Sequence, residues 1–372
     1  MAKKASKKAT IIDMKMFCTA KQAMEIEKAK TMLHVSPAID LRTGGGILEG
    51  SFVLIQGKAK CGKTLTCMEI ALNALLQGRW VIYFDTENRL TASKYFEIDG
   101  FDILNHPKFL LLNSESSDDD KVISGDDMYS TILQMMKDPK FRGAVFIIDS
   151  LSDVITQDVL DDPKVSAQRR DSTPKLNADF CKKVGPFIRK SNAIVIGVQH
   201  LQQDISPTGH GALKPVGGDR LNYRCDYVLL SKHNPLNLDG TTVNGGFKKG
   251  AEGINGLLIR YDLPSNKLLS PFVAKEADEK IQNYYKFSTG CWWSMEALDV
   301  LKELGLVSQG GAYYTFMTDK FSSKIKGLES TLELIDENKE YFKKMFDDYY
   351  IETYGINYNF VPPIEKEKED DD

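Results

Sequence analysis

The stretch Ser51–Thr64, SFVLIQGKAKCGKT, decides the fold of this chain. Its first half, Phe52–Gln56, is a short apolar run that predicts a buried strand. Gly57–Thr64 fits G-x-x-x-x-G-K-[ST], the pattern of a phosphate-binding loop. Leu65–Leu76 follows with apolar residues at helical spacing, and Gly78 is a natural stop. A loop between a strand and a helix start can hold phosphate groups with its backbone N–H groups and the positive end of the helix.

The loop supplies the candidate ligands of a nucleotide. Lys63 would reach the β- and γ-phosphates of ATP, and the Thr64 hydroxyl would bind the Mg²⁺ that bridges them. The alternative is a chance match in a glycine-containing turn, and the agreement of strand, loop and helix argues against it. The sequence therefore predicts ATP and Mg²⁺ as cofactors. The candidate cofactor-binding residues are Gly57, Lys58, Ala59, Lys60, Cys61, Gly62, Lys63, Thr64 and Leu65.

The composition of the whole chain is that of a globular protein. Its 372 residues are 42% hydrophobic and 27% charged, which allows one large domain and a smaller one. The net charge of −4 gives no global attraction to nucleic acid, so a DNA site would be a local basic patch. Six scattered cysteines without a C-x-x-C pair favour free thiols in a reducing compartment over a zinc site or disulfides. No apolar run reaches membrane-spanning length, and the basic start MAKKASKKAT lacks the apolar stretch of a secretory signal.

Short apolar strands alternate with helices along the chain. This alternation predicts an α/β fold with a mostly parallel sheet covered on both faces, with ligands at the carboxyl ends of the strands. We expect helices over Ala20–Leu33 and Met128–Lys137, a glycine-rich lead-in over Ser36–Gly50 and an exposed loop over Ser114–Asp127. The pattern changes near Glu276 to shorter, aromatic-rich elements, which indicates a domain boundary. The further predicted strands are Trp80–Phe84, Phe109–Leu112, Ala144–Ile148, Ala193–Val198, Tyr227–Leu230 and Leu257–Tyr261.

Polar residues follow three of these strands. Asp149 ends FRGAVFIID in the pattern of a Walker B aspartate that holds Mg²⁺, although an aspartate that caps a loop has the same pattern. Glu87 could polarise the water that attacks the γ-phosphate, or it is a surface glutamate. His200, next to Gln199, could hydrogen-bond the γ-phosphate and pass its presence to the following loop, or it is a turn residue.

Two long polar segments lie after the fourth and fifth strands. Thr156–Lys175 contains Arg169 and Arg170, and Leu201–Arg220 contains Lys214. Structureless loops of this length are often functional, and beside an ATP site they are candidates to order on DNA. Plain surface loops are the alternative. The candidate DNA-binding residues are Arg169, Arg170, Lys175, Lys214 and Arg220.

From about Ser36 to Phe360, the chain resembles the RecA family of recombinases, and especially the UvsX-type recombinases of bacteriophages. The resemblance is carried by GKAKCGKT, FDTEN, FIIDS, GVQH, the Gly217-Gly218 pair of PVGGDRLNY, and NKLLSPF. EALDVLKELGLVSQGGAYYTF is similar to the small C-terminal domain of the family. The resemblance implies a RecA-type P-loop ATPase core with a mostly parallel twisted sheet, an N-terminal helical segment and a small α+β C-terminal domain. The expected divisions are a basic arm and subunit-contact helix at 1–35, the core at 36–275, the small domain at 276–360 and an acidic disordered tail at 361–372.

The resemblance also implies roles for single positions. Glu87 matches the family's catalytic glutamate, and Asp149 and Ser150 match its Walker B pair. His200 lies where bacterial RecA has a glutamine that senses the γ-phosphate and where UvsX-type proteins have histidine. Lys63 and His200 join Glu87 as the expected catalytic residues. Tyr223 matches the family's subunit-coupling phenylalanine, and Tyr95, or its neighbour Lys94, lies near its adenine-stacking tyrosine. Lys267 matches one of the two lysines that reach ATP across the subunit interface, and the position of the companion lysine holds Ser265 instead.

The implied function is that of a DNA-dependent ATPase that forms helical filaments on single-stranded DNA. Such a protein catalyses homologous pairing and strand exchange with duplex DNA in recombination, repair and recombination-linked replication. Its partners would be both DNAs, further copies of the chain, and single-strand-binding and mediator proteins, in bacterial or phage-infected cytoplasm. A hexameric RecA-type replicative helicase is the alternative, although no arginine-finger motif or large N-terminal domain is evident. A non-hydrolysing DNA-binding mediator or clock-like signalling ATPase is a third reading, against which Glu87 and Lys63 argue.

Overall fold

A mostly parallel sheet forms the centre of the computed structural model of this protein. The structure describes residues 18–90, 97–98, 100–113, 122–162, 172–203, 213–236, 256–267, 281–287 and 289–363. The helices within these ranges are α1 Ala20–Lys28, α2 Pro37–Thr43, α3 Lys63–Leu76, α4 Gly125–Met135, α5 Gln157–Leu160, α6 Thr173–Ser191, α7 Trp293–Glu303, α8 Leu328–Glu337 and α9 Lys339–Tyr354.

In the described part of the chain, the strands belong to one large sheet and three small ones. Those of the small sheets are β1 Met32–Leu33 with β2 Ile47–Leu48, β5 Glu97–Ile98 with β6 Phe101–Asp102, and β15 Val307–Gly310 with β16 Tyr313–Phe316 and β17 Lys324–Lys326. Those of the large sheet are β3 Phe52–Gly57, β4 Val81–Asp85, β7 Phe109–Leu112, β8 Val145–Asp149, β9 Ile194–Gln203, β10 Leu213–Pro215, β11 Tyr227–Leu236, β12 Gly256–Asn266, β13 Ile281–Lys286 and β14 Gly290–Cys291.

The order of the large sheet is β14-β13-β12-β11-β3-β9-β8-β4-β7, and β10 pairs with the end of β9. The pairs from β11 through β3, β9, β8 and β4 to β7 are parallel, whereas β12, β13 and β14 extend the sheet by antiparallel pairing. The predicted α/β class with a mostly parallel sheet is thus confirmed. Because β3, β9, β8 and β4 are parallel neighbours, their carboxyl ends meet at one edge of the sheet.

The phosphate-loop strand separates two hydrophobic cores. Val53 and Ile55 of β3 belong to the core that includes Met68 and Ile70 of α3. Phe52 and Leu54, on the opposite face, belong to the core that α4 and α6 cover. Successive residues of a strand point to opposite faces, so an unbroken apolar run fills both layers. Among the described residues, no helix is long and apolar enough to cross a membrane.

A separate hydrophobic cluster lies in the C-terminal part of the chain. It is built from α7, α8, α9 and the small sheet β15–β17, with Leu301, Phe316 and Phe342 at its centre. After α9 the chain returns to the small sheet of β1 and β2, where the Asn357 carbonyl accepts a 2.8 Å hydrogen bond from the Met32 N–H. The Tyr358 hydroxyl donates to the Gly45 carbonyl at 2.7 Å.

The predicted helix Ala20–Leu33 is wrong in its second half. The helix ends at Lys28, and Met32–Leu33 forms a strand with Ile47–Leu48. Thr31, directly before β1, is buried, and its N–H donates at 3.0 Å to the carboxylate of Glu49, directly after β2. A tertiary contact with a distant carboxylate therefore replaces the helical hydrogen bond that the local apolar spacing predicted.

The predicted lead-in and loops also contain regular structure. Pro37–Thr43 is a helix, with Pro37 in its first turn and Ser36 as its cap. The predicted loop Ser114–Asp127 is wrong at its end because α4 begins at Gly125, with Asp126 and Asp127 in a first turn that favours negative charge. The two long polar segments are not wholly structureless, since they contain α5, the start of α6, the end of β9 and β10.

The predicted boundary at 275/276 falls between β12 and β13, outside the described residues. The strands β13 and β14 still pair with the large sheet, and the C-terminal cluster begins at Trp292. Of the predicted tail, residues 361–363 are described, whereas 364–372 lie outside the described chain.

Candidate nucleotide site

The loop between β3 and α3 needs its glycines for close packing. Gly62 caps α3 with a left-handed φ of 86°, and a Cβ there would lie 2.1 Å from Cδ1 of Ile259. A Cβ on Gly57 would lie 2.3 Å from Oγ of Ser231. The tight loop then leads into the N-terminus of a 14-residue helix, where backbone N–H groups favour an anion.

Lys63 lies inside this loop. Its Nζ donates to the carbonyl of Lys58 at 2.8 Å and lies 3.4 Å from the carbonyl of Gly57. The residue is only 5% exposed. The buried ammonium thus provides a fixed positive charge within a loop that lacks an acidic side chain, an arrangement suited to phosphate.

Thr64 and Asp149 meet beneath the loop. The Thr64 hydroxyl donates to Oδ2 of Asp149 at 2.7 Å, and the Tyr83 hydroxyl donates to the same oxygen at 2.8 Å. Burial raises the pKa of the Asp149 carboxyl, and these two hydrogen bonds oppose that effect. A hydroxyl and a carboxylate side by side next to a phosphate loop are the oxygen ligands that Mg²⁺ takes in nucleotide sites, so the residues present fit MgATP.

Glu87 and His200 meet at the ends of β4 and β9. Nε2 of His200 lies 2.5 Å from Oε1 of Glu87, and Nη1 of Arg89 lies 3.0 Å from Oε2. The hydrogen bond from His200 holds the pKa of Glu87 below its ordinary value, although burial acts in the opposite direction. Glu87 is therefore an ionised carboxylate at the carboxyl edge of the sheet.

The structure brings the predicted chemistry-bearing residues to one cavity of about 620 Å³. Its apolar wall includes Leu257 and the half-exposed Phe287, which the sequence reading did not select. The other residues that line the cavity are Ala59, Lys60, Cys61, Gly62, Lys63, Thr64, Leu65, Asp85, Glu87, Arg89, Leu90, Asp149 and His200.

Three further residues with an expected role at ATP or between subunits do not line this cavity, namely Gln199, Tyr223 and Lys267. Gln199 is buried and bonded to Gln56 and to two backbone carbonyls. Nζ of Lys267 donates to the carbonyls of Tyr223 and Cys225 at 2.8 and 2.6 Å, and Tyr223 is 81% exposed. Tyr95 and Lys94 lie outside the described residues.

The predicted DNA-binding residues are only partly described. Lys175 and Arg220 line one open depression of about 550 Å³ together with Gly217, Gly218 and Lys182. Lys214 is exposed on β10. Arg169 and Arg170 lie outside the described residues.

Sequence reasoning missed several residues of the site. Tyr83 contacts Asp149, and Arg89 contacts Glu87. Asp153 approaches His200 at 3.5 Å, and Ser231 bonds Cys61 at 2.8 Å. A sequence pattern could have identified Tyr83, because it lies two residues before Asp85 on β4 and such side chains point to the same face of a strand. No local pattern marks Asp153 and Ser231, because they meet the site through the packing of distant segments. Arg89 lies only two residues after Glu87, within the same strand end.

No family model matches the chain. It is similar to proteins named Protein RecA, with 23% identity over 320 residues to that of Rippkaea orientalis, covering 84% of this chain and 80% of the relative. Identity to that of Oleidesulfovibrio alaskensis is 24% over 353 residues, covering 92% and 90%, and to that of Trichormus variabilis 24% over 352 residues, covering 92% and 87%. The similarity to these RecA proteins thus extends over most of this chain and over most of each relative.

Proposed function

We propose that this chain is a DNA-dependent ATPase that forms helical filaments on single-stranded DNA and catalyses homologous pairing and strand exchange. The observation that carries the proposal is the convergence of Lys63, Thr64, Asp149, Glu87 and His200 on one cavity. The similarity to RecA proteins over most of the chain supports the same proposal. Within the family, the histidine at position 200 favours a recombinase of the UvsX type.

The residues of the loop would bind the nucleotide. Lys63 and the backbone N–H groups of Gly57–Thr64 would hold the phosphates, while Thr64 and Asp149 would hold Mg²⁺. When bound, Mg²⁺ supplies positive charge that neutralises the phosphates as they react. Glu87, an ionised carboxylate at the same edge, would orient the attacking water and accept its proton.

Subunit contact is the role proposed for the N-terminal segment 1–35. Within the described part of the chain, α1 has no buried residue, and Met24 and Ile26 are each 61% exposed. An apolar helix face without a cover favours a contact with another copy. At the same kind of interface, Tyr223 would couple neighbouring subunits, and Lys267 would reach ATP from the adjacent subunit. A head-to-tail contact whose rotation does not close produces a helical filament.

The proposed DNA surface lies on the segments that follow β8 and β9. Lys175 and Arg220 line the open depression, and Lys214 lies exposed on β10. DNA contact is also the role proposed for Arg169 and Arg170. Such a local basic surface is what a chain of net charge −4 needs to bind a polyanion.

A phosphate-release assay with and without single-stranded DNA tests the proposal. We expect DNA to stimulate hydrolysis in the unaltered chain, and Lys63→Ala to abolish it because the phosphates lose their fixed cation. Lys344→Ala is the matched control, since this side chain is 74% exposed on α9 and does not line the cavity. Equal hydrolysis in Lys63→Ala and the control would refute the proposed site.

A further inference from the structure

His200 faces two carboxylates with the same nitrogen atom. Its Nε2 lies 2.5 Å from Oε1 of Glu87 and 3.5 Å from Oδ2 of Asp153. An imidazole nitrogen carries at most one hydrogen, which points at one acceptor at a time. A full hydrogen bond to one carboxylate therefore competes with a full hydrogen bond to the other, and the structure has the ring on Glu87.

Both carboxylate oxygens of Glu87 are engaged in this arrangement. His200 contacts Oε1, and Arg89 contacts Oε2 at 3.0 Å. The hydrogen bond from His200 also lowers the pKa of the Glu87 carboxyl. A carboxylate of lower pKa is a weaker base, and engaged oxygens are less available to orient a water. The contact with His200 thus opposes the role proposed for Glu87.

Asp153 is fixed in place as the second acceptor. The Ser150 hydroxyl donates to its Oδ2 at 2.5 Å, and the Ser150 N–H donates to Oγ1 of Thr86 at 2.7 Å. The side chain of Asp153 is 48% exposed, whereas that of Glu87 is 15% exposed. A small rotation of the imidazole would bring Nε2 to hydrogen-bonding distance of a carboxylate that already has its orientation.

The backbone of His200 is connected to the proposed DNA surface. The Val216 N–H donates to the His200 carbonyl at 2.9 Å, directly after β10. The His200 N–H donates to Oγ of Ser152 at 2.9 Å, and the same hydroxyl donates to the Val216 carbonyl at 3.3 Å. Lys214 lies on β10, opposite Gln202 of β9. A displacement of β10 by DNA would therefore reach His200 through hydrogen bonds that the structure contains.

We propose that Asp153 is a positioning residue of the ATP site, which receives His200 from Glu87 when DNA engages β10. Release of Glu87 then raises the rate of hydrolysis. This inference rests on the proposed function, because it assumes that Glu87 orients the attacking water. DNA stimulation then reflects a coupling free energy between the DNA surface and the ATP site. His200 carries this coupling because it can bond either Glu87 or Asp153.

The test compares ATP hydrolysis with and without single-stranded DNA in the unaltered chain and three variants. Asp153→Asn removes the charge of the second acceptor, and Asp153→Glu keeps it. Asp319→Asn is the control, because it makes the same change at an exposed carboxyl after β16, outside the ATP cavity and the proposed DNA surface. We expect Asp153→Asn to lower the DNA-stimulated kcat about tenfold, within the usual range for coupled sites, with little change in KM for ATP. Asp153→Glu should restore most of the stimulation, and Asp319→Asn should keep all of it.

Each other result has a distinct meaning. Full DNA stimulation in Asp153→Asn overturns the inference and leaves the proposed function standing. Parallel loss of both rates, with a lower urea midpoint of unfolding and no rescue by Asp153→Glu, gives Asp153 a structural role and also overturns the inference. Absence of DNA stimulation in the unaltered chain overturns the proposed function and the inference together.

Discussion

The guanidinium of Arg79 lies 3.8 Å from the ring centre of Phe360. This contact holds the segment after α9 against the amino-terminal end of β4. Arg79 is 1% exposed and donates to the Glu49 carboxylate at 2.7 Å, to the Thr31 hydroxyl at 2.6 Å and to the Gly143 carbonyl at 2.8 Å. The aromatic face covers a cation that is already fixed by the core.

We expect Phe360→Ala to lower the free energy of unfolding by about 1–2 kcal/mol, because a desolvated cation loses its aromatic cover. Urea denaturation gives this value. Val361→Ala is the matched control, since Val361 is 82% exposed and should change stability by less than about 0.5 kcal/mol. Equal effects of the two substitutions would show that the segment is not held by the Arg79 contact.

A buried carboxyl joins the C-terminal cluster to the core. Glu296 is fully buried in the first turn of α7, and its oxygens accept from the side-chain amide of Asn283 at 3.1 Å and from the N–H groups of Tyr284 and Ala38 at 3.0 and 3.3 Å. Burial raises the pKa of Glu296 to about 7, against the hydrogen bonds that favour its ionised form.

This raised pKa predicts a pH dependence of stability with a definite sign. Between the ordinary glutamate value and about 7, the folded chain holds a proton that the unfolded chain has lost, so stability falls as pH rises through this window. The unfolding free energy of Glu296→Gln minus that of the unaltered chain should therefore rise by on the order of 2–3 kcal/mol from pH 4.5 to 7.5, because only the unaltered chain loses this stability. Urea titrations of both proteins at several pH values measure it. A difference that stays constant with pH would contradict the raised pKa.

The strand ends could be predicted from the sequence, and with them the meeting of Asp149, Glu87 and His200. Each follows an apolar run, and parallel neighbours place such ends at one edge. The sequence could not predict that Met32–Leu33 would leave the helical pattern, because the cause is a hydrogen bond from Thr31 to Glu49, 18 residues away.

The partners within the site were also beyond local patterns. Asp153 reaches His200 from another strand end, and Ser231 reaches Cys61 from β11, 170 residues along the chain. The burial of Arg79 was not predictable either, because its partners come from four separate segments. Sequence spacing identifies which elements carry chemistry, whereas the contacts between those elements follow only from packing.

Substitution of the proposed water-orienting carboxylate gives a sharp prediction. Glu87→Gln should keep ATP binding and lower kcat by about two orders of magnitude, because an amide cannot accept the proton of the attacking water. Labelled-ATP filter binding and phosphate release measure the two quantities.

The matched control for this substitution is Glu329→Gln, the same change on an exposed residue of the first turn of α8. The control should keep both binding and turnover. Normal turnover in Glu87→Gln would remove Glu87 from the catalytic role, whereas loss of ATP binding would indicate that its contact with His200 shapes the pocket.

Electron microscopy of the chain on single-stranded DNA with a slowly hydrolysed ATP analogue tests the central claim most directly. The account predicts extended helical filaments that require the analogue and that Lys63→Ala does not form, because nucleotide binding supports the contact between subunits. Closed rings would contradict the account and favour a hexameric helicase. Absence of ordered assemblies on DNA in the presence of the analogue would contradict it as well.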